Sequence, residues 1–267
     1  MDVRDAGGQV SGVGRSWRAR RLDRDASLGL RLTLAAVAAF LVLVPFSLLA
    51  LLVLGAWPPL FRLDASITEA LHGYAVDHPG WVRAMSVWTH VFGPGPLRIA
   101  AAVLVGWLLL RRAPRLALWV VTTMAVGGLL GALLKLLVGR HRPDLLDPVA
   151  RAAGFSFPSG HALTATLAAG VLLLVFLPFT RHRPAWRWAL WAAAVLITVL
   201  TGLSRIALGV HWTSDVVGGW LLGVAVLTAT TAAFSTWRTR AGRRPASTAR
   251  EGVEPELAEP DPDRPHA

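Results

Sequence analysis

The chain contains no cysteine and a single lysine, Lys135, among its 267 residues. Without cysteine it has no disulfides, no thiolate nucleophile and no cysteine-based zinc site. Acids are also scarce, since 16 Asp and Glu stand against 27 Lys and Arg. Only Asp144, Asp147 and Asp215 fall between residues 97 and 234. This region therefore has no carboxylate cluster suited to a divalent metal, and we expect neither a metal nor a cofactor.

Long apolar runs dominate what is present, and 54% of the residues are hydrophobic. Six runs are candidates for membrane spans, although the second is short. They cover about residues 30–57, 97–110, 113–138, 162–179, 185–203 and 213–234. The first is too long for the core of a signal peptide and has no clear cleavage site after it. The sequence predicts an all-α, polytopic membrane protein with six transmembrane helices.

Residues 58–96, between the first two runs, have an amphipathic pattern. Leu63, Ile67 and Leu71 recur at helical spacing, and Trp81 and Trp88 follow. This pattern predicts one or two short helices on the extracytoplasmic membrane surface, with tryptophans at headgroup level.

The two ends of the chain are polar. We predict a disordered basic cytoplasmic arm over residues 1–28, a membrane domain over 29–236 and a disordered cytoplasmic tail over 237–267. Most arginines outside the polar motifs described below flank the apolar runs on one side, as expected of the cytoplasmic side of a plasma membrane. The chain has a net charge of +11, and the position of these arginines favours anionic lipid over nucleic acid as the partner of its basic residues.

The first polar motif runs from Lys135 to Pro143. Arg142 follows Lys135 by seven residues, close to two helical turns, and Gly139 and Pro143 predict that the helix ends nearby. Two cations on one side could bind an anion. The alternative is a snorkelling lysine beside a headgroup arginine.

The second polar motif is Pro158-Ser159-Gly160-His161, just before the fourth apolar run. Free backbone N–H groups at a helix start can bind an anion, and His161 would stand beside it. An ordinary N-cap with an interfacial histidine is the alternative.

The third polar motif runs from Ser204 to Asp215. His211 and Asp215 are four residues apart, on one face of a helix. An aspartate bonded to one imidazole nitrogen fixes the tautomer and leaves the other nitrogen free to attack. Arg205 adds a planar fork suited to phosphate oxygens. A buried His–Asp pair without a catalytic role is the alternative, but it leaves Arg205 unexplained.

Together the three motifs combine cations, helix-start amides and an activated histidine. That set suits phosphoryl transfer without a metal, in which positive groups stabilise the phosphoryl oxygens. All three should share the extracytoplasmic face, because the positive flanks lie on the other side.

The motifs resemble the signature of the type 2 phosphatidic acid phosphatase, or lipid phosphate phosphatase, superfamily. That signature is Lys-x6-Arg-Pro, then Pro-Ser-Gly-His, then Ser-Arg-x5-His-x3-Asp, and this chain has every specified residue in order. The resemblance covers about residues 64–222.

The resemblance implies a role for each motif residue. His211 would form a phosphohistidine, Asp215 would orient it, and His161 would protonate the leaving group and then activate water. The implied phosphate-binding residues are Lys135, Arg142, Ser159, Gly160 and Arg205. The remaining polar residues of the motifs are assigned to the rim of the site (Arg140, His141 and Asp144) or to structure (Ser204).

The resemblance further implies a metal-independent lipid phosphatase, with undecaprenyl or another polyprenyl diphosphate as the first expected substrate. Phosphatidylglycerophosphate or phosphatidate hydrolysis, and phosphoryl transfer to an alcohol, use the same residues. A transporter or lipid-binding membrane protein is the non-enzymatic alternative. Transporters tend to place charges near the bilayer midplane in repeated halves, whereas these charges cluster at one surface and no half is duplicated.

Overall fold

The structure, a computed structural model, describes Val37, residues 40–146 and residues 148–240. The predicted N-terminal arm, residues 1–28, lies outside the described residues, as does the chain after residue 240. The last helix ends at Arg240, beyond the domain end expected at residue 236.

Every regular element in the described part of the chain is helical, which confirms the all-α fold. The helices are α1 (Phe40–Leu54), α2 (Pro58–Asp77), α3 (Pro79–Val91), α4 (Pro94–Leu110), α5 (Pro114–Val138), α6 (Gly160–Phe176), α7 (Pro184–Ala207) and α8 (Thr213–Arg240), and a 3₁₀ turn, Leu177–Thr180, follows α6. Proline stands at the start of α2, α3, α4, α5 and α7, where its missing N–H costs the helix nothing.

Within the described residues, five helical stretches are long and apolar enough to cross a membrane, and a sixth arises if α1 and α2, bent by 91°, count as one span. The expected six spans are the upper end of that count. The predicted second run, residues 97–110, covers only part of a longer apolar stretch. Helices α3 and α4 together form this 32-residue stretch, Pro79–Leu110. The region over residues 58–96 does contain two helices, α2 and α3. Their place on the membrane surface stays a prediction.

Helix α6 is the centre of the bundle and packs against α4, α5, α7 and α8. Glycines allow its neighbours to approach closely. A Cβ on Gly127 of α5 would overlap Leu167 Cδ1, and one on Gly219 of α8 would lie 2.6 Å from the carbonyl oxygen of Ser159. The start of α8 is therefore held directly against the start of α6, where the second and third polar motifs meet.

Candidate active site

The three polar motifs meet at one end of the bundle, as the sequence predicts. Lys135 lies in the last turn of α5, His161 in the first turn of α6 and Arg205 in the last turn of α7, while Asp215 opens α8. The backbone N–H of Ser159 donates to the carbonyl oxygen of Asp215 over 2.9 Å. That bond ties the second motif to the third.

His211 and Asp215 form the buried pair that their spacing predicts. His211 Nδ1 lies 3.2 Å from Asp215 Oδ2, and their side chains are 2% and 0% exposed. The backbone N–H of Trp212 donates to the same carboxylate oxygen over 2.9 Å. An acceptor at this position favours the tautomer with its proton on Nδ1, which leaves a lone pair on Nε2.

Burial lowers the pKa of His211 to about 4, although the hydrogen bond and charge of Asp215 act in the opposite direction. The charges of Arg142 and Lys135 lower it further. At neutral pH the imidazole is therefore uncharged, which is the state in which Nε2 can attack phosphorus.

Arg142 covers the free nitrogen of His211. Its Nη1 lies 3.0 Å from His211 Nε2 and donates to the carbonyl oxygen of Val210 over 2.6 Å. Its Nε donates to the carbonyl oxygen of Gly154 over 2.9 Å. Burial lowers the pKa of this guanidinium from its ordinary value, and the charge of Asp215 opposes that shift. The guanidinium is thus held at the place where an attacked phosphoryl group would lie.

Lys135 approaches the same place from α5. Its Nζ donates to the carbonyl oxygen of Phe155 over 2.6 Å, and its Cε would lie 3.9 Å from a Cβ built on Gly160. The lysine therefore stands beside the start of α6, whose first N–H groups have no partner within the helix. A cation and helix-start donors together suit a phosphate oxygen.

Arg205 and Ser159 supply two buried donors without partners. Arg205 Nη1 donates to Thr89 Oγ1 of α3 over 3.1 Å. In the described part of the chain, neither Arg205 Nε nor Ser159 Oγ has a hydrogen-bond partner. Unpaired buried polar atoms are uncommon in proteins, and an anion that accepted from both would remove their cost.

His161 lies among these groups and is close enough to Arg205, His211, Arg142 and Lys135 to interact with each electrostatically. Its Nε2 would lie 3.7 Å from a Cβ on Gly93, just before α4. His161 therefore lies near His211 but takes no part in the hydrogen bond between His211 and Asp215.

The assignment of Arg140 to the rim is wrong. Its side chain is 5% exposed and forms ion pairs with Asp215 and with Asp64 of α2. Gly139, at φ +61°, ends α5 in a left-handed turn that redirects the chain. His141 and Asp144, by contrast, are exposed, and Ser204 donates to a carbonyl oxygen within its own helix, so their rim and structural assignments agree with the structure.

Sequence reasoning missed Asp64, Ser214 and Thr89. For Asp64 a signal was present, because this acid precedes Ile67 and Leu71 by three and seven residues and so shares their apolar helix face. Nothing comparable marks Thr89 or Ser214. Among the residues described, no three His, Asp or Glu side chains come together as a group that could hold a metal ion.

Comparison with known proteins gives a consistent result. A family model described as the PAP2 superfamily matches residues 116–239. Undecaprenyl-diphosphatase of Sulfolobus acidocaldarius is 33% identical over 123 residues, which are 43% of this chain and 54% of the relative. Decaprenylphosphoryl-5-phosphoribose phosphatase of Mycobacterium tuberculosis is 32% identical over 178 residues, 62% of this chain and 87% of the relative.

A solved structure has a similar fold. It is the crystal structure of a transmembrane PAP2 type phosphatidylglycerolphosphate phosphatase from Bacillus subtilis, with a TM-score of 0.63 and 26% identity. The match covers 70% of this chain and 93% of that one. This chain spans about half the length of several curated relatives that it matches.

Proposed function

The chain belongs to the PAP2 superfamily, and we propose that it is an integral membrane enzyme that hydrolyses a lipid phosphomonoester or diphosphate through a phosphohistidine. One observation carries the proposal. The nucleophilic nitrogen of a buried, neutral histidine faces Arg142, while Lys135 and Arg205 stand close to the same place.

In the first step, His211 Nε2 attacks phosphorus and the bond from phosphorus to the leaving oxygen breaks. His161 donates a proton to that oxygen, which departs as a lipid alcohol or, from a diphosphate, as a lipid monophosphate. The Nδ1 proton of His211 stays on the ring, and Asp215 stabilises the positive charge that the phosphorylated imidazole acquires.

In the second step, water attacks the phosphohistidine. His161, now without its proton, accepts one from the water as the bond between nitrogen and phosphorus breaks. Inorganic phosphate leaves, and His211 returns to its neutral form with the proton on Nδ1. The overall reaction consumes one water and needs no metal or cofactor.

The cations stabilise the charge on the transferred group. Lys135, Arg142 and Arg205 bind its oxygens, and the unpaired Ser159 Oγ and Arg205 Nε donate to them together with the Gly160 amide. Fixed donors of this kind act most strongly on the transition state, where charge is spread over the three oxygens.

The proposed substrate is a polyprenyl diphosphate. Relatives named for undecaprenyl diphosphate and for a decaprenylphosphoryl sugar phosphate support a long prenyl chain. Relatives named for phosphatidylglycerophosphate and lipid A support glycerolipid or glycolipid phosphates as the other substrates to test.

Phosphate release from a panel of lipid phosphates tests this function. We expect purified protein in detergent to release phosphate from undecaprenyl diphosphate faster than from phosphatidylglycerophosphate or phosphatidate, because relatives named for prenyl substrates match 43% and 62% of the chain. EDTA should leave the rate unchanged, since the proposed steps use only protein groups. No release from any substrate would contradict the function, and loss of activity in EDTA would contradict its independence of metal.

We place the site at the extracytoplasmic face of the plasma membrane, with both termini in the cytoplasm, on the evidence of the positive flanks. Because the chain has no cysteine, single introduced cysteines report topology without background. Exposed Arg151 lies in the loop between α5 and α6, and exposed His182 lies in the loop between α6 and α7. In intact cells a membrane-impermeant maleimide should label Arg151→Cys, and label His182→Cys only after permeabilisation. The reverse labelling pattern would show that the membrane orientation is opposite to the one proposed.

A further inference from the structure

Arg140 connects two buried carboxylates that come from different helices. Its Nη1 donates to Asp215 Oδ1 over 2.8 Å, and its Nη2 donates to Asp64 Oδ2 over 2.7 Å. The side chains of Asp64 and Asp215 are 1% and 0% exposed. Buried charges without a partner are strongly unfavourable, so the three side chains depend on one another for their positions.

The two oxygens of Asp215 have separate partners. Oδ1 accepts from Arg140, whereas Oδ2 accepts from Trp212 N–H and faces Nδ1 of His211. A carboxylate fixed at both oxygens cannot rotate about its terminal bond. Removal of Arg140 would leave Asp215 Oδ1 without this partner. The carboxylate could then rotate, and the direction of its hydrogen bond to His211 would no longer be fixed.

Asp64 also holds the start of the helix that carries Asp215. Its Oδ1 accepts from the backbone N–H of Ser214 over 2.9 Å, and the Ser214 hydroxyl bonds to both Asp64 and Arg140. The first N–H groups of a helix need acceptors from elsewhere, and an anion there is favoured by the helix dipole. Asp64 of α2 therefore serves α8 as a cap.

Two aromatic rings set the plane of the arginine. Arg140 Cζ lies 4.7 Å from the ring centre of Phe61 and 5.5 Å from that of Trp212. A planar guanidinium can lie over such rings and donate to two carboxylates at once, whereas a lysine ammonium has no such fork. The site therefore selects arginine for its shape as well as its charge.

We propose that Asp64 and Arg140 are a positioning pair that fixes the Asp215 carboxylate and so aims His211 Nε2 at the phosphoryl group. The inference rests on the proposed function, in which His211 is the nucleophile. Arg140 Nη1 and Nη2 and both carboxylate oxygens of Asp64 are occupied by contacts between the two residues and with Asp215 and Ser214, so these atoms are not free to bind phosphate. Of the two side chains, only the buried Nε of Arg140 lacks a partner within the described residues.

Neutralising either member tests the pair. Asp64→Asn and Arg140→Met should each lower kcat by about 10- to 100-fold, because small misplacements of a reacting atom cost this much. KM should stay unchanged, since Lys135, Arg142 and Arg205 remain. The kcat of Arg140→Lys should lie between that of Arg140→Met and that of the wild type. The matched controls Glu69→Gln and Arg62→Met, both exposed on α2, should keep the wild-type kcat.

The two substitutions should shift the pH profile of kcat/KM in opposite directions. Arg140→Met leaves excess negative charge beside His211 and moves the acid limb to higher pH, whereas Asp64→Asn leaves excess positive charge and moves it lower. The double variant restores the charge balance and should return toward the wild-type limb. The other groups facing His211 are the same in every variant, namely Asp215 of α8, Lys135 of α5, His161 of α6 and Arg142 of the loop. A purely structural role would lower thermal stability without these opposite shifts.

A second measurement needs no turnover. Nitrogen NMR of histidine-labelled protein, with His211 assigned from His211→Ala, should show a neutral ring protonated on Nδ1 in the wild type and a raised pKa in Arg140→Met. Titration of His211 that is identical in the wild type and both variants, or an unchanged kcat, would overturn the positioning pair. If the wild type hydrolyses no lipid phosphate, the proposed function fails, and the NMR titration still decides whether the pair controls His211.

Discussion

Replacing His211 with alanine will lower phosphate release by about 10⁴-fold or more, which is the size of effect seen when a covalent nucleophile is lost. The Nδ1 of His211 lies 3.2 Å from Asp215 Oδ2, its Nε2 lies 3.0 Å from Arg142 Nη1, and its side chain is 2% exposed. Substrate binding should persist, because the phosphate-binding cations are untouched.

The matched control for this loss is His182→Ala. His182 is exposed in the loop between α6 and α7, far along the chain from the three motifs, and should give wild-type rates. An assay of initial rates at saturating substrate, with binding measured separately, distinguishes a lost nucleophile from a lost fold. Appreciable turnover by His211→Ala would show that water attacks phosphorus directly.

Replacing His161 with alanine will lower turnover of natural substrates by about 10²- to 10⁴-fold, as expected when a general acid and base is removed. The two steps should respond differently to the leaving group. A phosphate ester with a weakly basic leaving group, such as an aryl phosphate, needs no proton from His161 in the first step. It still needs His161 to activate water in the second.

This asymmetry predicts a burst. With an aryl phosphate, His161→Ala should release close to one equivalent of the phenol rapidly and then turn over slowly, because the phosphohistidine accumulates. Rapid-quench measurement of phenol and phosphate separates the two products. His211→Ala should show no burst. If His161→Ala slowed phenol release and phosphate release equally, without a burst, His161 would have no separate role in the second step.

The cluster of residues that we propose to bind phosphate was predictable because each of the three motifs carries its own local signal. Charge is expensive in apolar sequence, and the pair His211 and Asp215 lies on one helical face by spacing alone. The positive charges that flank the apolar runs then predicted that the three motifs lie at the same end of the bundle. That placement needed no knowledge of tertiary contacts.

The supporting residues were not predictable in the same way. Arg140 reaches Asp64 across 76 positions of sequence, and Arg205 reaches Thr89 across 116. These contacts depend on the left-handed turn at Gly139 and on how α2 and α3 lie against α7 and α8. Short-range periodicity reports which face of a helix is apolar, but it does not report which distant helix covers that face.

The bounds of the apolar segments show the same limit. Hydropathy alone placed the second run at residues 97–110, whereas α3 and α4 together make a stretch from Pro79 to Leu110. The amphipathic spacing and the tryptophans at positions 81 and 88 were the basis for predicting surface helices over residues 58–96. How these two helices join is a property of the backbone at Phe92 and Gly93, which composition does not encode.

The central claim is that phosphate passes through His211, and trapping the intermediate tests it most directly. His161→Ala is mixed with an aryl phosphate, quenched at alkaline pH, where phosphohistidine survives, and digested for mass spectrometry. We expect the phosphoryl group on His211, its loss on brief acid treatment, and its absence from the His161→Ala/His211→Ala double variant. A phosphoryl group on another residue, or none on the enzyme during turnover, would contradict the mechanism.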